Sequence, residues 1–124
     1  MNYLIDDAFV PIIQSCELLL NETKPDSSRI KLKIELIDGS VLFVKEAKIL
    51  PINFIKYSYQ WQSAEGLLLV RWDNTPHHSY ISTFPFHKHI GSEFTILPSE
   101  AMTLPKVLTH IANELKNTRP TVPK

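Results

Sequence analysis

The chain has 124 residues, with 13 basic and 13 acidic side chains and therefore a formal net charge of zero. This length fits a single domain over residues 1–124, and the balanced charge argues against a duplex-DNA binder, whose affinity rests on many phosphate contacts. The single cysteine, Cys16, excludes a disulfide within the chain and favours a cytoplasmic protein.

The amino-terminal residues predict a short helix and no secretory leader. A helix over residues 4–13 would place several apolar side chains on one side. Asp6 and Asp7 interrupt the apolar residues, and no basic segment precedes them, which is unlike a signal peptide. No apolar run in the chain approaches the ~18 residues that a membrane span needs, so we expect no contact with a membrane.

The next part of the chain predicts antiparallel strands. A strand begins near residue 15, and residues 21–29 are rich in turn formers and predict a loop. Residues 30–36 alternate apolar and charged side chains with the period of two that is typical of a strand. An Asp-Gly pair at 38–39 then predicts a tight hairpin that leads into a returning strand.

A second hairpin is predicted from strands over residues 54–62 and 67–73. Counting outward from the turn between them pairs Tyr59 with Val70. One face of this hairpin is aromatic and aliphatic, and the other becomes charged towards the open end. That charged end leads directly into a segment rich in histidine.

The remainder predicts a loop followed by a helix. Residues 74–98 contain three prolines and no steady period, so we expect irregular structure with a short edge strand near residues 94–97. Thr103 is typical of a helix N-cap, the helix should end near Asn117, and residues 118–124 should fray. The predicted fold is α+β: an antiparallel β-meander of about five strands, with a short amino-terminal helix and a carboxy-terminal helix packed on one face.

The charged end of the second hairpin begins an unusually dense group of ionisable side chains. Four of the five histidines lie between Arg71 and Gly91, and seven ionisable groups occupy nineteen positions. Loops held by a rigid scaffold often carry binding and catalytic residues, so this density indicates a functional site. The seven groups are Arg71, Asp73, His77, His78, His87, Lys88 and His89.

A purely structural interpretation accounts for some of these features. Aromatic strand residues usually belong to the core, because they bury large areas on a pleated surface. Arg71 and Asp73 could form an ordinary surface ion pair, which contributes little stability. His110 lies away from the apolar stripe of the predicted helix and is expected to be solvated. The aromatic residues in question are Tyr57, Tyr59, Trp61 and Trp72.

One chemistry that suits the cluster is cleavage of RNA without a metal. Such cleavage needs a base for the ribose 2′-hydroxyl proton and an acid for the leaving 5′-oxygen, and histidine can serve as either near neutral pH. An arginine can stabilise charge on the phosphorus centre through its planar fork. Exposed aromatic rings can stack unpaired bases.

The alternative chemistry is metal binding. His87 and His89, one residue apart, can face the same ion from an extended segment, and His77 can supply a third nitrogen. Asp73 is available as a further ligand or as a hydrogen-bond partner of one. A divalent metal such as zinc would then be the cofactor, although the chain lacks the Cys pairs and the His-Glu-x-x-His helix of common zinc sites.

The segment from Lys56 to Gly91 resembles the TumE family, the toxins of prokaryotic toxin–antitoxin pairs. The resemblance implies a cytoplasmic toxin of a type II pair that acts as an endonuclease on mRNA, with single-stranded RNA as substrate and a helix-turn-helix antitoxin as partner. It leaves open whether the toxin forms a homodimer. The matching residues are Tyr57, Ser58, Tyr59, Trp61, Gln62, Arg71, Trp72, Asp73, Asn74, Pro76, His77, His78, Phe84, Pro85, His87, Lys88 and His89.

Three positions depart from the family pattern. Gln60 and Phe86 stand where the family often has histidine, and Thr75 replaces a usual alanine. These departures move the catalytic hypothesis to the histidines that remain.

In that hypothesis, His87 and His89 are the acid and the base, with His77 as the alternate. Arg71 binds the scissile phosphate, and Asp73 orients a histidine. The competing hypotheses are a non-catalytic metal-binding module that uses His77, His87 and His89, and a protein-interaction module. The predicted substrate-binding residues are Tyr57, Tyr59, Trp61, Trp72, His78 and Lys88, the last of which would assist Arg71.

Overall fold

The computed structural model describes residues 5–118, and its main element is one antiparallel sheet of seven strands in the order β1 to β7. Every strand pairs with its neighbours in the sequence, so the predicted meander is confirmed, but the predicted number of about five strands is too low. A 3-10 helix (Asp7–Ile12) precedes the sheet and one α-helix, α1 (Leu104–Thr118), follows it. The strands are β1 (Ile13–Lys24), β2 (Ser27–Leu36), β3 (Val41–Ile49), β4 (Phe54–Gln62), β5 (Leu68–Asp73), β6 (His87–Ile90) and β7 (Ile96–Pro98).

The predicted loop over residues 21–29 is wrong, because β1 and β2 continue to within one tight turn of each other. Their ladder extends to the pair Lys24–Ser27, which leaves only two residues in the turn. Near this end, Arg29 and Glu22 form a cross-strand ion pair at 3.1 Å. Cross-strand pairing therefore outweighs the turn preference of the individual residues.

The expectation of irregular structure over residues 74–98 is wrong in its second half. β6 pairs with β5, and β7 forms the edge of the sheet close to the strand predicted near residues 94–97. A four-residue strand with the sequence His-Lys-His-Ile is too short and too polar to show a clear period. Its pairing with β5 is what brings distant histidines beside the end of the second hairpin.

The register of the second hairpin differs from the prediction by two residues. Tyr59 pairs with Trp72 and not with Val70. A bulge between Trp61 and Gln62 and a turn one residue longer than expected account for the shift. Because side chains alternate with a period of two, the shift of two beyond the bulge leaves the residues from Trp61 and Val70 to the open end on their predicted faces.

The core lies between one face of the sheet and α1. The N-cap prediction is confirmed, since the Thr103 hydroxyl accepts a hydrogen bond from the Lys106 amide at 3.3 Å. The short amino-terminal helix is a 3-10 helix with Pro11 inside it; the parts of the predictions that fall on residues 1–4 and 119–124 lie outside the described residues. Within residues 5–118, no helix has the length and apolar character that crossing a membrane demands. The largest side chains that are fully buried are Tyr59, Ile34, Leu36, Leu42, Leu108 and Ile111.

His110 is not solvated as expected, because it packs between the helix and two tryptophans. Its ring makes edge contacts with Trp61 at 6.0 Å and with Trp72 at 5.2 Å between centroids. Burial lowers the pKa of the His110 imidazole, an effect that Glu114 opposes and Lys88 reinforces. His110 is therefore an aromatic contact of the core that stays neutral at pH 7.

We predict that His110 makes the fold less stable in acid. Its pKa is lower in the folded chain than in the unfolded chain, so the unfolded chain binds the extra proton below a pH of about 6.5. The stabilising effect of the neutral ring is complete above that pH and is lost as the pH falls. The fall in thermal midpoint between pH 7.5 and 5.5 should be smaller for His110→Gln than for the wild type and for the exposed control His77→Gln. An equal fall in all three proteins would contradict this account.

Candidate active site

Strand pairing places four ionisable residues together on the face of the sheet that α1 does not cover, called here the open face. In the β5–β6 ladder, Arg71 pairs with His89 and Asp73 pairs with His87. Directly paired residues point to the same side. The opposite side of β5 carries Trp72, which belongs to the core beneath α1. These four side chains and His78, which lies beside them, are called the histidine site below.

Asp73 is the centre of the histidine site. Its carboxylate lies 2.9 Å from Nε2 of His87 and 3.6 Å from Nε2 of His89. Nε of Arg71 is 3.5 Å from the same carboxylate, and the Thr75 amide donates to it at 3.0 Å. A side chain with 9% of its surface exposed thus carries a charge shared among three cationic or ionisable partners.

Backbone carbonyls determine the tautomers of the two buried histidines. Nδ1 of His87 lies 3.0 Å from the Pro85 carbonyl oxygen, and Nδ1 of His89 lies 2.7 Å from that of Glu93. A carbonyl oxygen only accepts, so the hydrogen-bond network assigns a proton to Nδ1 of each ring. Nε2 of His87 faces the Asp73 carboxylate at 2.9 Å, and it can donate to that carboxylate only when the ring carries a second proton.

His78 reaches the site from the loop between β5 and β6. Its ring centroid lies 4.8 Å from that of His87 and 5.8 Å from that of His89. Desolvation lowers the pKa of His78, and the neighbouring imidazoles of His87, His89 and His77 lower it further, while Asp73 opposes them. His78 is only partly buried and so lies at the mouth of the site. Its lowered pKa favours the neutral imidazole.

Several predicted site residues lie elsewhere. His77 is exposed and contacts His78 at a centroid distance of 6.5 Å, but it does not belong to the group of converging ring nitrogens. Lys88 pairs with Trp72 and therefore lies on the helix side of the sheet, where it cannot assist Arg71. The four strand aromatics have 2–6% of their surface exposed and offer no face to a base. These aromatics are Tyr57, Tyr59, Trp61 and Trp72.

Other aromatic rings, which the sequence hypothesis did not include, flank the site. Tyr80 is 73% exposed and its ring lies 5.8 Å from that of His78. Phe94 is 89% exposed and follows Glu93, whose carbonyl anchors His89 and whose carboxylate lies 3.7 Å from Arg71. Their proximity to the histidines in the sequence was the available signal for a base-stacking role. The sequence hypothesis assigned that role to the aromatic residues of the strands.

The departures from the family pattern have clear structural positions. Gln60 lies on the open face, where its Oε1 accepts from Arg71 at 3.4 Å. Phe86 packs against the core, and Thr75 contributes a backbone amide that any residue except proline would supply. Gln60 therefore helps to position the arginine, whereas the other two positions leave the histidine site intact.

The positions of three histidine nitrogens in the site can also be compared with the ligand geometry of a metal site. The ligand atoms of His78, His87 and His89 lie within 4.8 Å of one another, and two of these rings are anchored through Nδ1 as metal ligands commonly are. Tetrahedral zinc with bonds of ~2.1 Å separates its ligand atoms by ~3.4 Å. The histidines suit a divalent transition metal chemically, but the rings would have to move closer to hold it.

A comparison with known protein families matches almost all of the chain. A family model described as Toxin TumE covers residues 2–117. Neither a curated protein nor a solved structure matches the chain. The match includes every residue of the histidine site.

Proposed function

The chain belongs to the TumE toxin family, and we propose that it acts as a toxin by cleaving single-stranded RNA through acid–base chemistry that needs no metal. The observation that carries the proposal is the convergence of Asp73, His87, His89 and Arg71 on the open face, with His78 at their mouth. These side chains can provide a general base, a general acid and a phosphate-binding cation within one pocket of about 280 Å³.

Arg71 is suited to hold the scissile phosphate. Its side chain is 21% exposed, and Asp73, Glu93 and Gln60 contact it from three sides. A guanidinium held in this way keeps donors free for phosphate oxygens without having to be ordered during the reaction. It would stabilise the extra negative charge that develops when the ribose oxygen attacks phosphorus.

The histidines would move the two protons. His78, neutral and at the mouth, takes the 2′-hydroxyl proton while the 2′-oxygen bonds to phosphorus. The bond from phosphorus to the 5′-oxygen breaks, and His89 donates a proton to that oxygen. His89 suits this role better than His87, since its Nε2 lies 3.6 Å from Asp73 and not 2.9 Å. The products are a 2′,3′-cyclic phosphate and a 5′-hydroxyl.

His87 and Asp73 would position these groups and not react themselves. The Asp73 carboxylate, 2.9 Å from Nε2 of His87, also lies 3.6 Å from Nε2 of His89 and would orient that ring toward the leaving oxygen. The exposed rings of Tyr80 and Phe94 would stack bases on either side of the scissile phosphate. These two residues replace the buried strand aromatics as base-stacking candidates.

The experiment that tests the proposal compares two adjacent histidines. His78→Ala should lower the rate of RNA cleavage by ~10² or more because it removes the base. His77→Ala, the matched control, should cleave within a few-fold of the wild type, since His77 lies outside the group of converging nitrogens. Cleavage of a single-stranded RNA in excess EDTA is the measurement. Equal activity of the two variants would refute the assignment of His78.

Membership of a toxin family implies an antitoxin partner. We propose that this partner is a helix-turn-helix protein whose binding prevents RNA from reaching the histidine site. The toxin would then be inactive in the complex and active when the antitoxin is lost. Co-expression of the two proteins should relieve growth inhibition by the wild-type toxin.

Metal binding is the second candidate function, because the nitrogens of His78, His87 and His89 converge. In this alternative the three histidines hold a divalent ion such as zinc, and Asp73 is a fourth ligand or a partner of one. Elemental analysis of protein purified without a histidine tag separates the candidates. About one equivalent of zinc, lost in His78→Ala but kept in His77→Ala, would favour the metal site over the metal-free mechanism.

A further inference from the structure

A groove on the open face leads directly into the histidine site. The groove has a volume of about 490 Å³ and crosses β2, β3, β4 and β5. Its wall includes Arg71, Asp73 and Thr75, which also line the pocket of the histidines. A molecule lying in the groove would therefore reach the reactive groups without leaving the surface of the sheet.

The groove carries an excess of positive charge. Lys31, Lys45 and Lys56 line it, and within residues 5–118 none of the three forms an ion pair. Arg29 also lines the groove, but Glu22 neutralises it at 3.1 Å. Two carboxylates, Glu46 and Asp73, also line the groove, but they are fewer than its cations, and Glu46 accepts a hydrogen bond from the Tyr59 hydroxyl. The three lysines are called the groove lysines below.

The placement of two groove lysines costs stability. Lys31 and Lys45 are direct partners across the β2–β3 ladder, and like charges directly opposite each other destabilise a sheet. The row that they begin continues through Ser58 to Asp73 on the next two strands. A polyanion lying along this row would offset the repulsion between the two lysines and lead toward the histidine site.

We propose that the groove lysines bind the backbone of the RNA strand and direct it to the histidine site. The inference rests on the proposed function, and it adds the path that the substrate takes. Lys31 and Asp73 are three strands apart, or ~14 Å at ~4.8 Å for each strand, so the groove accommodates several nucleotides of a single strand. Association would depend strongly on salt, because each phosphate contact releases counterions.

Two further features favour RNA over an acidic protein segment in this groove. Ser58 and Gln60 line its floor and supply short polar side chains of the kind that bind phosphate and sugar oxygens. Phe43 pairs with Gln60 and is only partly buried on the same face, so an aromatic ring lies beside the row of cations. Single-stranded nucleic acid is typically bound by such a combination of cations and stacking rings.

The test is the binding of a labelled RNA 12-mer of mixed sequence, 2′-O-methylated to prevent cleavage, over a range of salt concentrations. In the test variant, all three groove lysines are replaced by glutamine. At 0.1 M salt it should bind ~10² more weakly than the wild type, and its slope of log affinity against log salt should be smaller by ~2, at ~0.7 per contact. The matched control replaces Lys24, Lys48 and Lys116, which do not line the groove.

Each outcome decides between distinct possibilities. A larger loss in the groove variant than in the control supports the inference, whereas equal losses, or no loss, overturn it. If the groove variant binds RNA like the wild type but is no longer neutralised by the antitoxin, the groove is an antitoxin surface and the inference is wrong. If the wild type binds through the groove lysines but does not cleave unmodified RNA, the proposed function fails and the inference stands. Thermal unfolding of each variant verifies the fold.

Discussion

Replacing Asp73 with asparagine is expected to lower the rate of RNA cleavage by ~10³ to 10⁴, the largest effect of any single substitution in the chain. The carboxylate contacts His87, His89 and Arg71 at 2.9 to 3.6 Å. Asparagine has almost the same shape and still accepts from the Thr75 amide, but it removes the negative charge that faces Nε2 of both histidines and the guanidinium of Arg71. The loss should appear in kcat more than in KM, because the substrate does not contact this carboxylate.

Asp26→Asn is the matched control for this substitution. Asp26 lies exposed in the turn between β1 and β2, far along the sheet from β5. It should leave cleavage unchanged, while both variants should unfold close to the wild-type temperature. If Asp73→Asn retained activity within a factor of ~3, the carboxylate would not organise the acid–base groups, and the mechanism proposed here would be wrong.

Replacing Arg71 with alanine is expected to lower kcat by ~10³, since removal of a preorganised donor to a developing charge commonly has an effect of this size. Arg71→Lys should recover only part of the loss, because an ammonium keeps the charge but not the planar fork. The lysine variant would also lose the contacts by which Asp73, Glu93 and Gln60 hold the guanidinium from three sides. Cleavage of single-stranded RNA under saturating conditions is the measurement.

Lys88→Ala is the control for Arg71, because the two cations lie on adjacent strands but on opposite faces of the sheet. The variant should cleave RNA at nearly the wild-type rate. A loss comparable with that of Arg71→Ala would mean that the substrate contacts the helix side of β6, contrary to the site described above. Full activity in Arg71→Ala would exclude this arginine as the phosphate-binding group.

Regular alternation made much of the sheet predictable from the sequence. Residues 30–36 and 54–62 repeat with a period of two over most of their length, and the structure has both segments as strands. The Thr103 cap was predictable because its hydroxyl acts locally, within one turn of the helix. The end of the first hairpin, over residues 21–29, was missed because the cross-strand pairing of β1 with β2 outweighs the turn preference of the individual residues.

The composition of the site was predictable, but the roles of its members were not. The density of histidine after Arg71 singled out this segment, and Asp73, His87 and His89 do converge. His78 and not His77 joins them, since the path of the loop after β5 decides which of two neighbours turns inward. No local pattern distinguishes these two residues.

The other differences between the predicted and the observed site residues arise because a side chain lies on the opposite face of the sheet. Lys88 lies between two site histidines in the sequence, yet alternation along β6 puts it on the opposite side. An aromatic strand face can be a core or a stacking platform, and only the position of α1 determines that Trp61 and Trp72 are core residues. Both outcomes depend on tertiary packing, which the sequence alone does not reveal.

The measurement that tests the central claim most directly is the analysis of the ends that cleavage produces. Purified wild-type protein is incubated with a single-stranded RNA in excess EDTA, beside the same strand with 2′-deoxyribose at the cleaved position. The account predicts fragments with 2′,3′-cyclic phosphate and 5′-hydroxyl ends, and no cleavage of the deoxy strand. Fragments with 5′-phosphate ends, or cleavage that requires an added metal, would contradict the claim that His78 and His89 move protons at the phosphate.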